Sequence, residues 1–170
     1  MNTILLKEYL TRERLANAVR EIEQYENHRG SGSEEMCLVI DSMGGNAVAA
    51  MEFAERIGSG RTRFGAKIYR ADSAAALIAL ATARREIVAQ GILTLNLGSA
   101  EIPSNMLLTP EKVPAHIIEE AKRFREKVFA LLTKAGFPDS GPLMEKLLVQ
   151  NELTLGATDC LELGIVERVI

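Results

Sequence analysis

Ser73 stands between the strand-like run Gly65 to Tyr69, extended by Arg70-Ala71-Asp72, and the small, apolar segment Ala74 to Ala81. A hydroxyl at the mouth of a helix, among side chains small enough for a substrate backbone to approach, is the raw material of a nucleophile. A second apolar run, Met36 to Asp41, ends in Ser42-Met43-Gly44-Gly45-Asn46 directly before a helical stretch that begins at Ala47. A Gly-Gly turn at a helix start leaves backbone N–H groups with no intrahelical acceptor, and an oxyanion hole is built from such groups. Either feature alone is also the mark of an ordinary tight turn or N-cap. Acting together, they could perform acyl transfer.

Other reactive side chains are sparse. The two histidines, His28 in the polar stretch Asn27 to Ser33 and His116 in a helical pattern, read as solvated. Cys37 lies inside an apolar run and Cys160 in a late helical pattern, far apart and without a CxxC spacing. They read as small core residues, so neither a disulfide, a metal site nor a cofactor is expected. The segment Gly60 to Lys67 imitates a phosphate loop, but its Lys does not follow the second Gly and no helix comes next, so it reads as a turn.

Elements must exist to position these residues, and the composition provides for them. The chain has 170 residues, a net charge of -3, 47% hydrophobic and 25% charged residues. A chain of that length buries roughly 70% of the surface its unfolded form exposes, enough for one core without staples. The reading is a single domain, 1–170. Slight acidity, 5% aromatics and no Trp give no electrostatic footprint or stacking platform for nucleic acid. The N-terminus lacks the basic start and apolar stretch of a signal peptide, and no run of about 18 apolar residues occurs. Neither nucleic acid nor membrane is therefore expected as a partner, and a cytoplasmic location is.

Periodicity orders the elements. Thr3 to Leu6 reads as a strand and Thr11 opens an amphipathic helix carrying Leu15, Ala18, Val19 and Ile22. Asn27 to Ser33 reads as a loop, Met36 to Asp41 as a strand buried on both faces, and Ala47 to Ile57 as a helix stopped by Gly58. The segment from Ser73 to Ala81 is apolar on nearly every side and must be central. Two strand-like runs follow, Glu86 to Ala89 and Ile92 to Leu97, separated by Gln90-Gly91. Thr109-Pro110 opens a long helical region through Ala135, with Pro114 inside its early turns. Short helices over Gly141 to Val149 and Ala157 to Leu163 precede a closing strand, Ile165 to Ile170. Strand and helix in alternation predict α/β architecture with mostly parallel crossovers.

The segments Asp41-Ser42-Met43-Gly44-Gly45-Asn46, Ala71-Asp72-Ser73-Ala74-Ala75-Ala76 and Leu155-Gly156-Ala157-Thr158-Asp159-Cys160 through Ile170 resemble, in order and spacing, the Clp protease proteolytic subunit family. The resemblance runs from Ile4 onward. It implies the ClpP/crotonase fold, a spiral of parallel strand and helix units with a long projecting handle helix, the strand-to-handle region covering about residues 100–135. It also implies a serine peptidase acting on peptides, with Ser73 as nucleophile and the N–H groups of Gly45 and Ala74 as the oxyanion hole.

The same resemblance exposes departures. The family's catalytic His falls on Asn96, with Leu97 the adjacent alternative, and neither takes a proton. Its acidic member falls on Glu152, one methylene longer than the Asp it replaces. A base could come instead from His116 of a neighbouring subunit or from Lys67, Lys122 or Lys127 in a Ser-Lys dyad. A positioned base contributes about 10²–10⁴-fold, so the implied peptidase is weak or inactive. The resemblance further implies a homo-oligomeric ring, a heptamer stacking to a tetradecamer or, as in crotonase-type relatives, a trimer or hexamer. Relatives that serve an ATP-driven unfoldase carry a segment ahead of the first strand, whereas this sequence starts almost on that strand, which puts unfoldase docking in doubt. Two further readings stand beside the peptidase: a non-catalytic ring scaffold or partner subunit, and a crotonase-type acyl-thioester site.

Overall fold

The structure is a computed structural model that describes residues 2–29, 35–97, 113–138 and 140–170. Its elements are β1 (Thr3–Leu10), α1 (Arg12–Arg29), β2 (Glu35–Gly45), α2 (Ala47–Ser59), β3 (Arg63–Asp72), α3 (Ala74–Ala81), β4 (Arg84–Asn96), α4 (Ala115–Lys134), α5 (Pro142–Gln150), β5 (Glu152–Gly156), α6 (Ala157–Glu162) and β6 (Arg168–Val169). The sheet runs β1-β2-β3-β4-β5, and β6 pairs with β4. β1 to β4 are mutually parallel, as is β6 to β4, while β5 runs antiparallel to β4. The architecture is α/β with a mostly parallel mixed sheet.

Register explains the core. Leu6, Ile40, Ile68 and Ile87 lie side by side across four strands, and each is at most 3% exposed. That face receives α1, α2 and α3. The neighbouring row of Leu5, Val39, Lys67 and Glu86 belongs to the opposite, outer face, where Leu5 is 60% exposed. All eight residues of α3 are buried. Five of them are alanines, whose short side chains let this helix sit close on the sheet.

Several sequence expectations are corrected. Asn27, His28 and Arg29 continue α1 instead of forming a loop, and the His28 Nδ1 lies 2.7 Å from the Gln24 carbonyl one turn back. Residues 30–34 of that expected loop lie outside the described residues. α2 runs through Gly58 to Ser59. The two runs after α3 form one strand, β4, and the residues around Gln90-Gly91 make an irregularity within it. Ile68 pairs with Ile87 and Arg70 with Ile92, so four residues of β4 bulge against one of β3. Gly91 is required there: a Cβ would come within 2.8 Å of the Val88 carbonyl oxygen.

The long helix starts at Ala115, with Pro114 capping it from outside rather than lying in its early turns; the expected opening at Thr109-Pro110 is outside the described residues. Its first buried residue is Val128. The turns before Phe124 are mostly exposed, Phe124 packs against the core, and the helix contacts α3. The closing strand shrinks to β6, and the antiparallel β5 is an element the sequence reading lacks.

Both cysteines are buried and free. Burial raises the Cys37 thiol above its ordinary range and pushes Cys160 up to about 12. The thiolate is the reactive form. Iodoacetamide at pH 8 is therefore expected to leave both residues unmodified in the folded protein and to modify both in urea. Mass spectrometry reads the result, and rapid labelling of Cys160 without denaturant would contradict its burial. Among the described residues, no helix is long and apolar enough to cross a membrane.

Candidate active site

The site begins where β3 turns into α3. Ser73 has φ 53° and ψ -117°, a sparsely populated conformation outside even the left-handed helical well, which costs a non-glycine residue about 1–3 kcal/mol. Two elements hold it there. The Ser73 N–H donates to the Thr94 carbonyl of β4 at 2.8 Å, and the Ser73 carbonyl accepts from Ala76 and Leu77 at 3.0 and 3.3 Å, starting α3. The strand's last ladder bond and the helix's first turn thus share one residue. The turn between them is an elbow of the kind that presents a nucleophile. The Ser73 side chain does not cap the helix, and the Ala74 N–H has no acceptor among the described residues.

The Gly44-Gly45 turn is pressed against this elbow. A Cβ on Gly44 would lie 2.6 Å from the Asp72 carbonyl oxygen, 3.0 Å from Ser73 Cβ and 3.1 Å from the Ala74 nitrogen, so only glycine permits the approach. The Gly44 N–H donates to Ser42 Oγ at 3.1 Å, and Ser42 Oγ donates to the Glu8 carbonyl. That anchor meets a bulge in β1, where Glu8 has φ 58°. Asn46 caps α2 by accepting from the Ala49 N–H at 2.8 Å, and its own N–H donates to the Leu10 carbonyl.

Across the sheet, Asp72 is in register with Thr94, Thr94 with Thr154, and Asn96 with Glu152. These side chains share the outer face of the pleat, and the hydroxyls of Thr94 and Thr154 are 3.2 Å apart. The structure thus brings Asn96 and Glu152 opposite each other and places Asn96 two residues beyond the carbonyl that holds Ser73. Leu97 is 3% exposed and belongs to the core, whereas Asn96 lies on the outer face in register with Glu152.

The other candidate bases are elsewhere. His28 is at the end of α1 and His116 on the exposed first turn of α4. Lys122 pairs with Glu119 at 3.5 Å and Lys127 with Glu55 at 2.6 Å. Lys67 lies over the Tyr69 ring, 5.5 Å from its centroid, in the half of β3 remote from Ser73. The segments that build the elbow, β2, β3, α3, β4 and β5, contain no histidine.

Asp72 is the residue that sequence reasoning passed over. It is 8% exposed, its Oδ2 accepts from Arg70 Nε at 2.5 Å, and its Oδ1 is buried with no hydrogen-bond partner. In sequence, Arg70-Ala71-Asp72 reads as a polar end to a strand. The burial comes from β4, which the strand order places alongside.

Among the described residues no group of three His, Cys, Asp or Glu side chains is placed to hold a metal ion. The class defined by fold and site is an α/β protein with a strained serine elbow beside a diglycine turn. Compared with known proteins, the chain matches no family model and no curated sequence.

Proposed function

We propose that this chain is a Clp-type serine peptidase homologue in which Ser73 is the nucleophile, the N–H groups of Gly45 and Ala74 form the oxyanion hole, and the missing imidazole at Asn96 makes hydrolysis weak. The observation that carries this reading is the backbone of Ser73. Its strain is held in place from two sides, although an ordinary N-cap serine needs no such conformation. The substrate class in this reading is peptide, the fold is of the ClpP/crotonase type, the location is cytoplasmic, and no cofactor takes part.

Reaction with a fluorophosphonate probe tests the proposal. One adduct per chain is expected, on Ser73 by tandem mass spectrometry, and Ser73→Ala should abolish it. A folded protein that takes up no probe, or an adduct that persists in Ser73→Ala, would overturn the assignment.

Assembly into a homo-oligomeric ring belongs to the same proposal. The outer sheet face carries Leu5 at 60% exposure, and Tyr9 and Met43 are 62% and 64% exposed. Tyr9 and Met43 at the C-terminal ends of β1 and β2, with Leu5 further back along β1, suit contact with a second copy. The lack of any histidine in the elements around Ser73 favours a second reading, a non-catalytic ring subunit that pairs with an active paralogue. In that case the chain takes up no probe but co-purifies in a mixed ring.

A further inference from the structure

We infer that Asp72 is the proton acceptor for Ser73, a carboxylate base in the place of the missing imidazole. This rests on the reading of Ser73 as a nucleophile. Three features of the structure point to it.

Backbone geometry comes first. Consecutive side chains on a strand point to opposite faces, and Asp72 occupies the outer face with Thr94. An extended residue has φ near -120°, so the Ser73 N–Cα bond is turned by roughly 170° from that position. Such a turn swings Cβ across the sheet to the face that the preceding side chain occupies. The strain at Ser73 therefore sets its hydroxyl on the same side as the Asp72 carboxylate, on the next residue along the chain.

Hydrogen bonding comes second. Asp72 Oδ1 is buried and accepts from nothing, a condition that costs about 1–3 kcal/mol for a buried polar atom and calls for an explanation. The Ser73 hydroxyl likewise makes no hydrogen bond among the described residues. An unsatisfied acceptor and an unsatisfied donor thus stand on adjacent residues. Catalytic hydrogen bonds are often loose in a free enzyme and close when substrate arrives.

The third observation is the surrounding charge. Arg70 Nε donates to Oδ2, which leaves Oδ1 as the free acceptor. The neighbours in register on β4 and β5, Thr94 and Thr154, are neutral hydroxyls. Glu152 stands two pairs further along the β4–β5 ladder, and Asp41 of β2 is in register with Arg70 rather than with Asp72.

The step balances without a co-reactant other than water. The Ser73 proton passes to Asp72 Oδ1 as Oγ bonds to the carbonyl carbon and the carbonyl pair moves to oxygen, where the Gly45 and Ala74 N–H groups receive it. The carbon–nitrogen bond then breaks and the departing amine takes the proton from Asp72. Water then attacks the acyl-serine carbonyl carbon, giving its proton to Asp72; the carbon–Oγ bond breaks, Ser73 Oγ takes that proton back, and the acid leaves.

The experiment compares wild type, Asp72→Asn and Asp72→Ala by the rate of fluorophosphonate modification at Ser73 and by hydrolysis of p-nitrophenyl acetate, with circular dichroism confirming the fold. Both variants are expected to lose about 100-fold in rate, the low end of what a positioned base supplies. Added sodium formate should restore at least a tenth of the wild-type rate to Asp72→Ala, whose cavity admits it, and none to Asp72→Asn, whose amide fills the space. A folded Asp72→Asn that modifies Ser73 at the wild-type rate, or an Asp72→Ala indifferent to formate, overturns the inference. A wild type that is not modified at Ser73 at all overturns the nucleophile reading beneath it, which separates the two failures.

Discussion

Replacing Asn96 by histidine is expected to raise hydrolysis of short peptides and activated esters by about 10²–10³-fold, within the range a positioned general base contributes. The register makes the expectation specific. Asn96 lies opposite Glu152 across the antiparallel pair, so an imidazole there has a carboxylate to orient it and stabilise its cation, the role of the acid in a catalytic triad. It also lies two residues from the carbonyl that holds the Ser73 N–H. Adding Ser73→Ala should remove the gain completely, and adding Glu152→Gln should remove about tenfold or more of it. The rates are read at pH 7.5, where a histidine of ordinary pKa is mostly neutral and competent as a base. A folded Asn96→His protein with wild-type rates would mean that position 96 does not face the nucleophile.

Gly45→Ala is expected to destabilise the protein by about 4 kcal/mol or more, a size reserved for a few mechanisms, among them a forced backbone clash. A Cβ at position 45 would lie 2.7 Å from the Leu10 nitrogen and closer still to the Leu10 carbonyl oxygen. Both are main-chain atoms of β1 and cannot move aside as a flexible side chain would. The whole β1–β2 edge would have to open. Gly58→Ala is the internal control: it lies within α2, the nearest atom to its new Cβ is 3.7 Å away, and gains of about 0.4–1 kcal/mol are usual where the backbone is compatible. Urea midpoints measure both. A Gly45→Ala loss below about 1 kcal/mol would contradict the tight turn on which the proposed oxyanion hole depends.

Much of the architecture was legible because burial imposes a period. Met36 to Asp41 and the segment from Ser73 to Ala81 had to be a buried strand and a central helix, since no other arrangement hides that many apolar side chains. Ser73 and Gly45 were legible as well, because strand–turn–helix junctions leave unsatisfied N–H groups whatever the fold. The misreadings share a cause, namely contacts distant in sequence. Leu153 and Leu155 alternate with polar neighbours over five residues, too short a signal until β4 is present to pair with them. Asn27 and His28 are poor helix formers, and the helix continues through them where local composition says loop. Gln90-Gly91 looks like a break between two strands, and pairing with β3 on both sides of it makes it a bulge instead. Asp72 was the largest omission. Nothing near it in sequence shows that one of its oxygens is buried without a hydrogen-bond partner, because its neighbour in register, Thr94, is distant in sequence.

α4 has a free arm at its N-terminal end. From Ala115 to Arg123 it stands clear of the core, about 13 Å of rod at 1.5 Å per residue, and its fulcrum begins at Phe124, which packs against the core ahead of the buried Val128. Beyond the fulcrum it leans on α3, the helix headed by Ser73. A neighbour that grips the free arm consequently holds a lever whose short end rests on the helix that begins at the strained Ser73.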